Sequence, residues 1–220
     1  MAAVSFVTSL HQKTDRDYVG RVTQADKAEC AEVAKKFGKD YWDGDRKYGY
    51  GGYKYDGRWS VVAERMIARY NLSENARILD VGCGKGFLLH EFKKLLPKAE
   101  IRGIDISAYA IENAKEEVKE YLQIGNAIKL PFEDREFDLV YSITTLHNLY
   151  NYELKKAILE VQRVSKKNSF ILVDSYRNER ERVNLLYWQL TCESFFTPQE
   201  WVWLFNEYGY TGDYEFIYFE

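Results

Sequence analysis

The sequence contains few cysteines and no long apolar run, and each shortage excludes a class of protein. The three cysteines among 220 residues, at positions 30, 83 and 192, have no metal-ligand spacing and cannot all pair, which favours a reducing compartment. No apolar stretch approaches the roughly 18 residues that a transmembrane helix needs. Residues 1–10 lack the basic start and the length of a signal peptide. We therefore expect a cytoplasmic protein with no metal site and no membrane partner.

An excess of basic charge is also absent. Lys and Arg number 31 against 34 Asp and Glu, which gives a formal net charge of −3, and the two signs are interleaved along the chain. Proteins that bind nucleic acids usually show a basic patch or stripe. The sequence therefore predicts no nucleic-acid partner.

Aromatic residues are abundant, with 18 Tyr, 12 Phe and 5 Trp, and their distribution divides the chain. Residues 1–72 are polar and rich in Tyr and Gly, whereas residues 73–220 alternate between strand and helix patterns. In the first part we predict helices over 25–37, ended by Gly38, and over 59–70. Between them, residues 40–59 are predicted to form a glycine-hinged aromatic lid. The expected organisation is an N-terminal helical and lid extension (1–72) followed by an α/β domain (73–220).

The second part predicts a Rossmann-like fold. Strands are predicted at 77–81, 100–104, 121–124, 137–142, 170–174 and 214–219. Helices are predicted at 87–96, 108–121, 154–164, 179–195 and 198–209, the last with a capping box at its start. This alternation is typical of a doubly wound, mostly parallel sheet with helices on both faces. We expect an open place at the edge of the sheet, covered either by a second copy of the chain or by the N-terminal segment.

A glycine-rich turn follows the first predicted strand and begins a helix. Its residues are Asp80, Gly82, Gly84 and Gly86, in the sequence DVGCGKG. Glycines permit a tight turn and let a ligand approach the backbone, and the helix N-terminus favours an anionic group. The alternative interpretation is a purely structural turn.

An acidic residue, Asp105, ends the second predicted strand. A carboxylate at this place can accept hydrogen bonds from both hydroxyls of a ribose. The alternative is that Asp105 caps the next helix, although Ser107 already fills that role. A nicotinamide cofactor would use similar residues, but the glycines here are spaced G-x-G-x-G rather than G-x-G-x-x-G.

Four motifs together resemble the class I S-adenosylmethionine-dependent methyltransferases. They are ILDVGCGKG, GIDIS, GNAIKLPFEDREFDLVYS and EVQRVSKKNSFILVD, and the resemblance covers residues 76–217. The resemblance does not extend to the first 72 residues. Position 126 is Asn where the family commonly has Asp, and residues 166–169 replace the usual proline-glycine turn. Both departures are tolerable, because an amide oxygen accepts a hydrogen bond and Asn tolerates turn conformations.

The resemblance implies S-adenosylmethionine as cofactor and a role for each matching residue. Asp80 would organise the methionine amino group, and Ser142 would flank the methionine moiety. Asp105, with Ile106 beside it, would hold the ribose. Asn126 would face the adenine amine and the Ala127 backbone would face the ring edge. The glycines of the turn would pack against the cofactor.

The aromatic lid is a second candidate group. Its aromatic faces could shield a sulfonium cation, and Arg58 could pair with the methionine carboxylate. The alternative is that the lid is ordinary covering of the fold. The candidate aromatic residues are Tyr41, Trp42, Tyr48, Tyr50, Tyr53 and Tyr55.

His147, just beyond the fourth predicted strand, is the candidate catalytic residue. A histidine there could take a proton from the methyl acceptor, whereas the alternative is a loop histidine bonded to backbone. The predicted reaction is methyl transfer to an O or N nucleophile of a small polar metabolite. Three alternatives stay open: another S-adenosylmethionine chemistry, a non-catalytic cofactor-binding partner subunit, and an NAD-dependent oxidoreductase.

Overall fold

A six-stranded parallel sheet forms the centre of the protein. The computed structural model describes residues 1–220, and the strand order is β3-β2-β1-β4-β5-β6. All neighbouring strands pair in parallel. The strands are β1 (Arg77–Val81), β2 (Glu100–Asp105), β3 (Leu122–Ile124), β4 (Phe137–Ile143), β5 (Ser165–Asp174) and β6 (Asp213–Ile217). The predicted fold class and its six strands are confirmed.

Ten α-helices surround the sheet and bury it on both faces. The first four are α1 (Thr8–His11), α2 (Tyr18–Thr23), α3 (Lys27–Ala34) and α4 (Lys39–Asp43). The others are α5 (Ser60–Tyr70), α6 (Phe87–Leu95), α7 (Ala108–Glu112), α8 (Asn151–Val164), α9 (Glu179–Trp188) and α10 (Pro198–Glu207). One apolar core lies against α5 and α6, and the other against α8 and α10. None of the helices is long and apolar enough to cross a membrane.

The N-terminal extension shares the core of the sheet. Phe6 is buried, and its ring lies 5.0 Å from that of Phe170 on β5. Ala3 forms a parallel bridge with Tyr214 on β6, with Val4 N donating to the Tyr214 carbonyl at 3.0 Å. Of the two coverings expected for the open edge, the structure shows the N-terminal segment.

Several predicted elements are shorter than expected. The helix over 108–121 ends at Glu112, because the Lys115 N–H bonds the Lys85 carbonyl of the glycine-rich turn instead of continuing the helical hydrogen bonds. The helix over 179–195 ends at Trp188, and the helix over 25–37 occupies only Lys27–Ala34.

Other segments are more regular than expected. The lid contains α4 and a 3-10 turn (Arg46–Tyr48), whereas a loop was predicted. The turn predicted at 166–169 is instead the start of β5, which follows α8 directly and pairs with β4 through an irregular register near Phe137. Two short helices, α1 and α2, precede the first predicted helix.

Candidate active site

A cavity of about 530 Å³ opens at the carboxyl ends of the strands. Residues that follow β1, β2, β3 and β4 line it, among them Gly82, Asp105, Gly125 and Thr144. Open parallel sheets place their ligands at this edge. The lid and the N-terminal extension form the opposite wall, so the cavity is covered on the side away from the sheet.

The glycine-rich turn leaves bare backbone at the cavity wall. Gly82 has φ +88° and Gly84 has φ +53°, a region that side chains rarely adopt. A Cβ atom on Gly82 would lie 2.1 Å from Thr145 Oγ1, and one on Gly84 would lie 2.9 Å from the Trp42 ring. Both glycines are therefore required by the close approach of neighbouring groups. Gly86 does not line the cavity; it precedes α6 and packs against Leu122.

Asp105 is held rigidly between two turns. Its Oδ2 accepts from the Gly84 N–H and its Oδ1 from the Ser107 N–H, both at 2.8 Å. Desolvation raises the pKa of this carboxyl, while the two backbone donors oppose the rise. Each carboxylate oxygen has a further lone pair, so Asp105 can still accept from two hydroxyls of a ligand. The fixed geometry suits a ribose.

Asp80 is almost completely buried at the cavity wall. Desolvation raises the pKa of its carboxyl well above the usual range, against the opposing effect of the Tyr141 hydroxyl. A buried carboxyl without a cation is poorly solvated in its charged form. Asp80 is therefore suited to a ligand that brings a positive charge.

The residues expected around adenine also line the cavity. Ile106 is 57% exposed, and Asn126 and Ala127 lie beyond β3. Asn126 Oδ1 accepts from the Ile128 N–H at 3.1 Å, which fixes the orientation of the amide. The structure thus brings Asp105, Ile106, Asn126 and Ala127 to one end of the cavity.

Ser142 and Tyr48 lie outside the cavity lining, contrary to expectation. Ser142 is fully buried, and its hydroxyl donates to the Val81 carbonyl at 2.7 Å, because it lies within β4 rather than beyond it. The following residues, Ile143 to Thr145, line the cavity in its place. Tyr48 packs beside the small apolar cluster of α3.

His147 is buried away from the cavity, contrary to the expectation that it faces a methyl acceptor. Its Nδ1 accepts from the Asp174 N–H at 3.0 Å, and its Nε2 lies 3.7 Å from the Asp174 carboxylate. Burial lowers the pKa of the ring, with Asp174 opposing. The His147 carbonyl accepts from Glu193 and Ser194, each at 2.9 Å. The contacts are those of a residue that anchors the segment after α9.

The lid lies closed on the glycine-rich turn. Trp42 is buried, donates from Nε1 to Ser107 Oγ at 2.9 Å, and stacks on Tyr50 with ring centres 5.3 Å apart. Tyr53 stacks on Phe87 at 4.8 Å. Tyr41 also lines the cavity, whereas Tyr55 does not and bonds Glu91 with its hydroxyl at 2.5 Å.

A buried ion pair fastens this lid. Lys85, within the glycine-rich turn, contacts the Asp43 carboxylate at 2.7 Å and the Tyr53 carbonyl at 3.0 Å. Tyr109 donates to the same carboxylate at 2.9 Å. The sequence analysis did not identify Lys85 or Asp43, although a lysine between two glycines of the motif is a visible signal.

The arginine predicted to bind a carboxylate, Arg58, lines the cavity but already has a partner. Its guanidinium pairs with Asp56 and remains largely exposed. Three other arginines, Arg16, Arg21 and Arg46, line the far end of the cavity around Trp188. They were not identified from the sequence, because their segments carry no motif and converge only in the folded chain.

Comparison with known proteins assigns the family. A family described as "Methyltransferase domain" matches residues 72–209, and the chain belongs to it. A tRNA (carboxymethyluridine(34)-5-O)-methyltransferase from Arabidopsis thaliana is 33% identical over 146 residues, which are 66% of this chain and 34% of that protein. A malonyl-[acyl-carrier protein] O-methyltransferase from Legionella pneumophila is 35% identical over 117 residues, 50% of this chain and 40% of that protein.

Solved structures show the same fold. The YcgJ protein from Bacillus subtilis has a TM-score of 0.54 at 23% identity, covering 66% of each chain. A putative methyltransferase in complex with the Haloferax volcanii Trm112 methyltransferase activator has a TM-score of 0.54 at 21% identity, covering 67% of this chain and 66% of that one. The matched part of this chain spans 34% of the length of the Arabidopsis thaliana relative and 62% of the length of another curated relative. The fold is thus that of the class I S-adenosylmethionine-dependent methyltransferases, which disfavours the nicotinamide alternative.

Proposed function

We propose that this protein is a methyltransferase that binds S-adenosylmethionine in the cavity and methylates an O or N nucleophile of a small polar metabolite. The observation that carries the proposal is Asp105. Its carboxylate is fixed by the backbone N–H groups of Gly84 and Ser107, within the family-matched region, and keeps lone pairs for a ribose.

The residues around Asp105 fit the rest of the cofactor. Gly82 and Gly84 line the cavity with backbone alone, and the absence of their side chains admits Thr145 and Trp42 to the cavity wall. Asp80 would pair with the methionine ammonium, since its buried carboxyl has no cation of its own. Asn126 and Ala127 would contact the adenine. When bound, the cofactor supplies an activated methyl group.

The protein's own contribution is positioning and exclusion of water. Trp42, Tyr50 and Tyr53 cover the cavity, and their aromatic faces suit a cation. Holding two reactants in line can lower a barrier by up to ~7–11 kcal/mol. We no longer propose His147 as a base, because its ring lies outside the cavity and both its nitrogens face Asp174.

The extent of the cavity also helps to distinguish an enzyme from a non-catalytic cofactor-binding subunit. A cofactor-binding partner subunit would need no space for an acceptor, yet the cavity continues past the cofactor residues to Trp188 and Ile217. This extra space supports an enzyme. The relatives named above act on different acceptors, so their names do not select one here. A covered cavity and a net charge of −3 favour a small molecule over a nucleic acid.

The edge of the sheet bears on whether a second copy of the chain could pair with it to form a homodimer. Residues 2–4 already pair with β6, so this edge offers no free strand to a second copy. We therefore propose a small-molecule acceptor as the main partner, ahead of a second copy of the chain.

A labelling screen tests the proposal. The protein is incubated with S-adenosylmethionine carrying a deuterated methyl group and with pools of cell metabolites, and the products are read by mass spectrometry. We expect one compound or a small group to gain the label. The matched control is Asp105→Ala, which should not transfer it. Binding of S-adenosylhomocysteine without any labelled product would instead favour the non-catalytic subunit.

A further inference from the structure

Three guanidinium groups converge on one tryptophan at the far end of the cavity. The centres of Arg16, Arg21 and Arg46 lie 5.5, 5.2 and 5.1 Å from the Trp188 ring, and all four residues line the cavity. The arginines come from the N-terminal extension, outside the family-matched residues 72–209. Trp188 ends α9. This part of the cavity is therefore built jointly by the N-terminal extension and the end of α9.

None of the three arginines has an acidic partner within 4.0 Å, unlike Arg58 in the same cavity. Their hydrogen bonds go to neutral groups. Arg16 donates to the Thr14 carbonyl at 2.8 Å, Arg21 to the Arg46 carbonyl at 2.5 Å, and Arg46 to the Gly49 carbonyl. The Nε–H groups of Arg16 and Arg21 are buried without any partner.

The neighbouring groups do not neutralise this charge. His11 faces Arg16 with Nδ1 at 3.1 Å, and burial together with Arg16 lowers the pKa of His11 to about 4, so the ring is neutral near pH 7. The buried carboxylate of Asp174 accepts from Gln189; its charge raises the pKa of Arg16 against desolvation, but it forms no ion pair with any of the three arginines. Desolvation lowers the pKa of Arg21, and the charge of Arg46 lowers it further. Arg16 and Arg21 are partly buried, and Arg46 adds an exposed third positive charge beside them. Partly buried cations without a paired anion are costly unless a ligand supplies one.

The position of the three arginines separates them from the cofactor residues. Asp105 and Asp80 lie at β2 and β1. Ile217, which also lines the cavity, ends β6, and Gln189, the cavity residue that follows Trp188, donates to Asp174 at the end of β5. Adjacent strands are about 4.8 Å apart, so β5 and β6 lie roughly 10–15 Å from β1. The arginines therefore belong to the part of the cavity that an acceptor would occupy.

We infer that the methyl acceptor carries an oxyanion, a carboxylate or a phosphate, which Arg16, Arg21 and Arg46 bind. This inference rests on the proposed function and names the substrate class of the same site. Guanidinium groups match the geometry of both anions and bind them with paired hydrogen bonds. Trp188 orients the three groups by stacking, and the anion completes their hydrogen bonds.

Anion titration of the cofactor-bound protein tests the inference. Inorganic phosphate and succinate are titrated separately into protein saturated with S-adenosylhomocysteine, at constant ionic strength set with chloride, and melting temperature and binding heat are followed. We expect at least one of the two to stabilise the protein beyond chloride, and the responding anion identifies the class. Arg21→Gln and Arg46→Gln should weaken that binding roughly 10-fold or more.

The matched control is Arg180→Gln, an exposed arginine on α9 that does not line the cavity. It should keep the anion response of the wild type. The affinity for S-adenosylhomocysteine should be unchanged in all three variants, and this affinity also reports that each variant is folded.

The outcomes separate the two proposals. No anion response in the wild type, or an unchanged response in both Arg21→Gln and Arg46→Gln, overturns the inference while cofactor binding persists. A loss of S-adenosylhomocysteine affinity in these variants assigns the arginines to the cofactor and likewise overturns it. Failure of the wild type to bind S-adenosylhomocysteine overturns the proposed function itself. In the labelling screen, the labelled compound should carry a carboxylate or phosphate, and Arg21→Gln should raise its KM.

Discussion

At the scale of single residues, the buried carboxyl of Asp80 forms a site suited to a cation. Desolvation raises the pKa of its carboxyl, which favours the protonated form in the free protein. A ligand ammonium favours the ionised form, so binding should release that proton. We predict that the affinity for S-adenosylhomocysteine rises as pH increases toward the raised pKa, by at most about tenfold per pH unit, and then becomes constant.

Calorimetry between pH 5 and 7 measures this dependence. Asp80→Asn has nearly the same shape but no titrating proton, so it should bind more weakly and show no pH dependence. Equal, pH-independent affinities in the wild type and the variant would remove Asp80 from cofactor binding.

His147 should matter for stability rather than for proton transfer. Replacing it with Ala leaves the buried Asp174 N–H without an acceptor, which should cost about 1–3 kcal/mol of unfolding free energy. His147→Asn offers an oxygen near the position of Nδ1 and should restore part of that loss. The pH profile of kcat/KM should keep its shape in both variants. A normal melting temperature combined with loss of the acidic limb of the profile would restore the catalytic role.

Residues whose role depends on a short motif could be predicted from the sequence. Residues whose role depends on distant segments meeting in the folded chain could not. Gly82, Gly84 and Asp105 lie in short motifs whose backbone geometry is encoded within a few positions. The burial of His147 depends on the segment after α9, which folds back onto its carbonyl. Arg16 and Arg21 approach Trp188 only because the N-terminal extension crosses the cavity.

At the scale of elements, the lid depends on the ion pair between Lys85 and Asp43. Desolvation alone would raise the pKa of Asp43, but hydrogen bonds from Lys85 and Tyr109 hold it below its usual value. Asp43→Asn removes the charge that Lys85 faces while Lys85 is almost fully buried. We predict a loss of about 1–3 kcal/mol in the stability of lid closure and weaker binding of S-adenosylhomocysteine.

Limited proteolysis with trypsin measures lid opening, since the lid contains Arg46, Lys47 and Lys54. Cleavage there should be faster in Asp43→Asn than in the wild type. Asp40→Asn, an exposed change on the same helix α4, is the control and should resemble the wild type. Equal cleavage rates in all three proteins would contradict the role given to the ion pair.

Glu215 on β6 joins the N-terminal segment to the sheet. Its buried carboxylate accepts from Phe6 N at 2.7 Å, from Val7 N at 3.0 Å, and from the Thr8 N–H and hydroxyl at 2.7 and 2.6 Å. Glu215→Gln places an NH₂ group against some of these donors and should lower the free energy of unfolding by about 2–3 kcal/mol. Urea unfolding checks this, with exposed Glu207→Gln as control; an unchanged midpoint would show that the contact carries no stability.

The strands were predicted more accurately than the helices. Ile78–Leu79 in β1, Leu139–Tyr141 in β4 and Phe170–Val173 in β5 are buried apolar runs, as expected for strands covered on both faces. The helix predicted over 108–121 was too long, although Ile111, Ala114, Val118 and Tyr121 continue an apolar stripe at helical spacing and pack on the core. Lys115 instead bonds the glycine-rich turn through its backbone, a long-range contact that the local pattern does not contain.

At the scale of the whole molecule, the extension and the sheet form one structure around the cavity. The sheet supplies the residues proposed for the cofactor, and residues 1–72 supply the lid and the arginines proposed for the acceptor. The motifs made the residues proposed for the cofactor predictable from the sequence. In residues 1–72 the aromatic lid was expected, but the arginines were not, because the N-terminal segment is positioned by long-range contacts such as that of Phe6 with Phe170.

Titration with S-adenosylhomocysteine tests the central claim, that this cavity holds the methyltransferase cofactor. Calorimetry on the wild type should show saturable binding, and the ligand at 100-fold above Kd should stabilise the fold by about 2.7 kcal/mol. Asp105→Asn should lose most of both effects, because its amide cannot accept with both atoms while still serving Gly84 and Ser107. A wild-type protein that shows neither binding heat nor a higher melting temperature at saturating ligand would contradict the account.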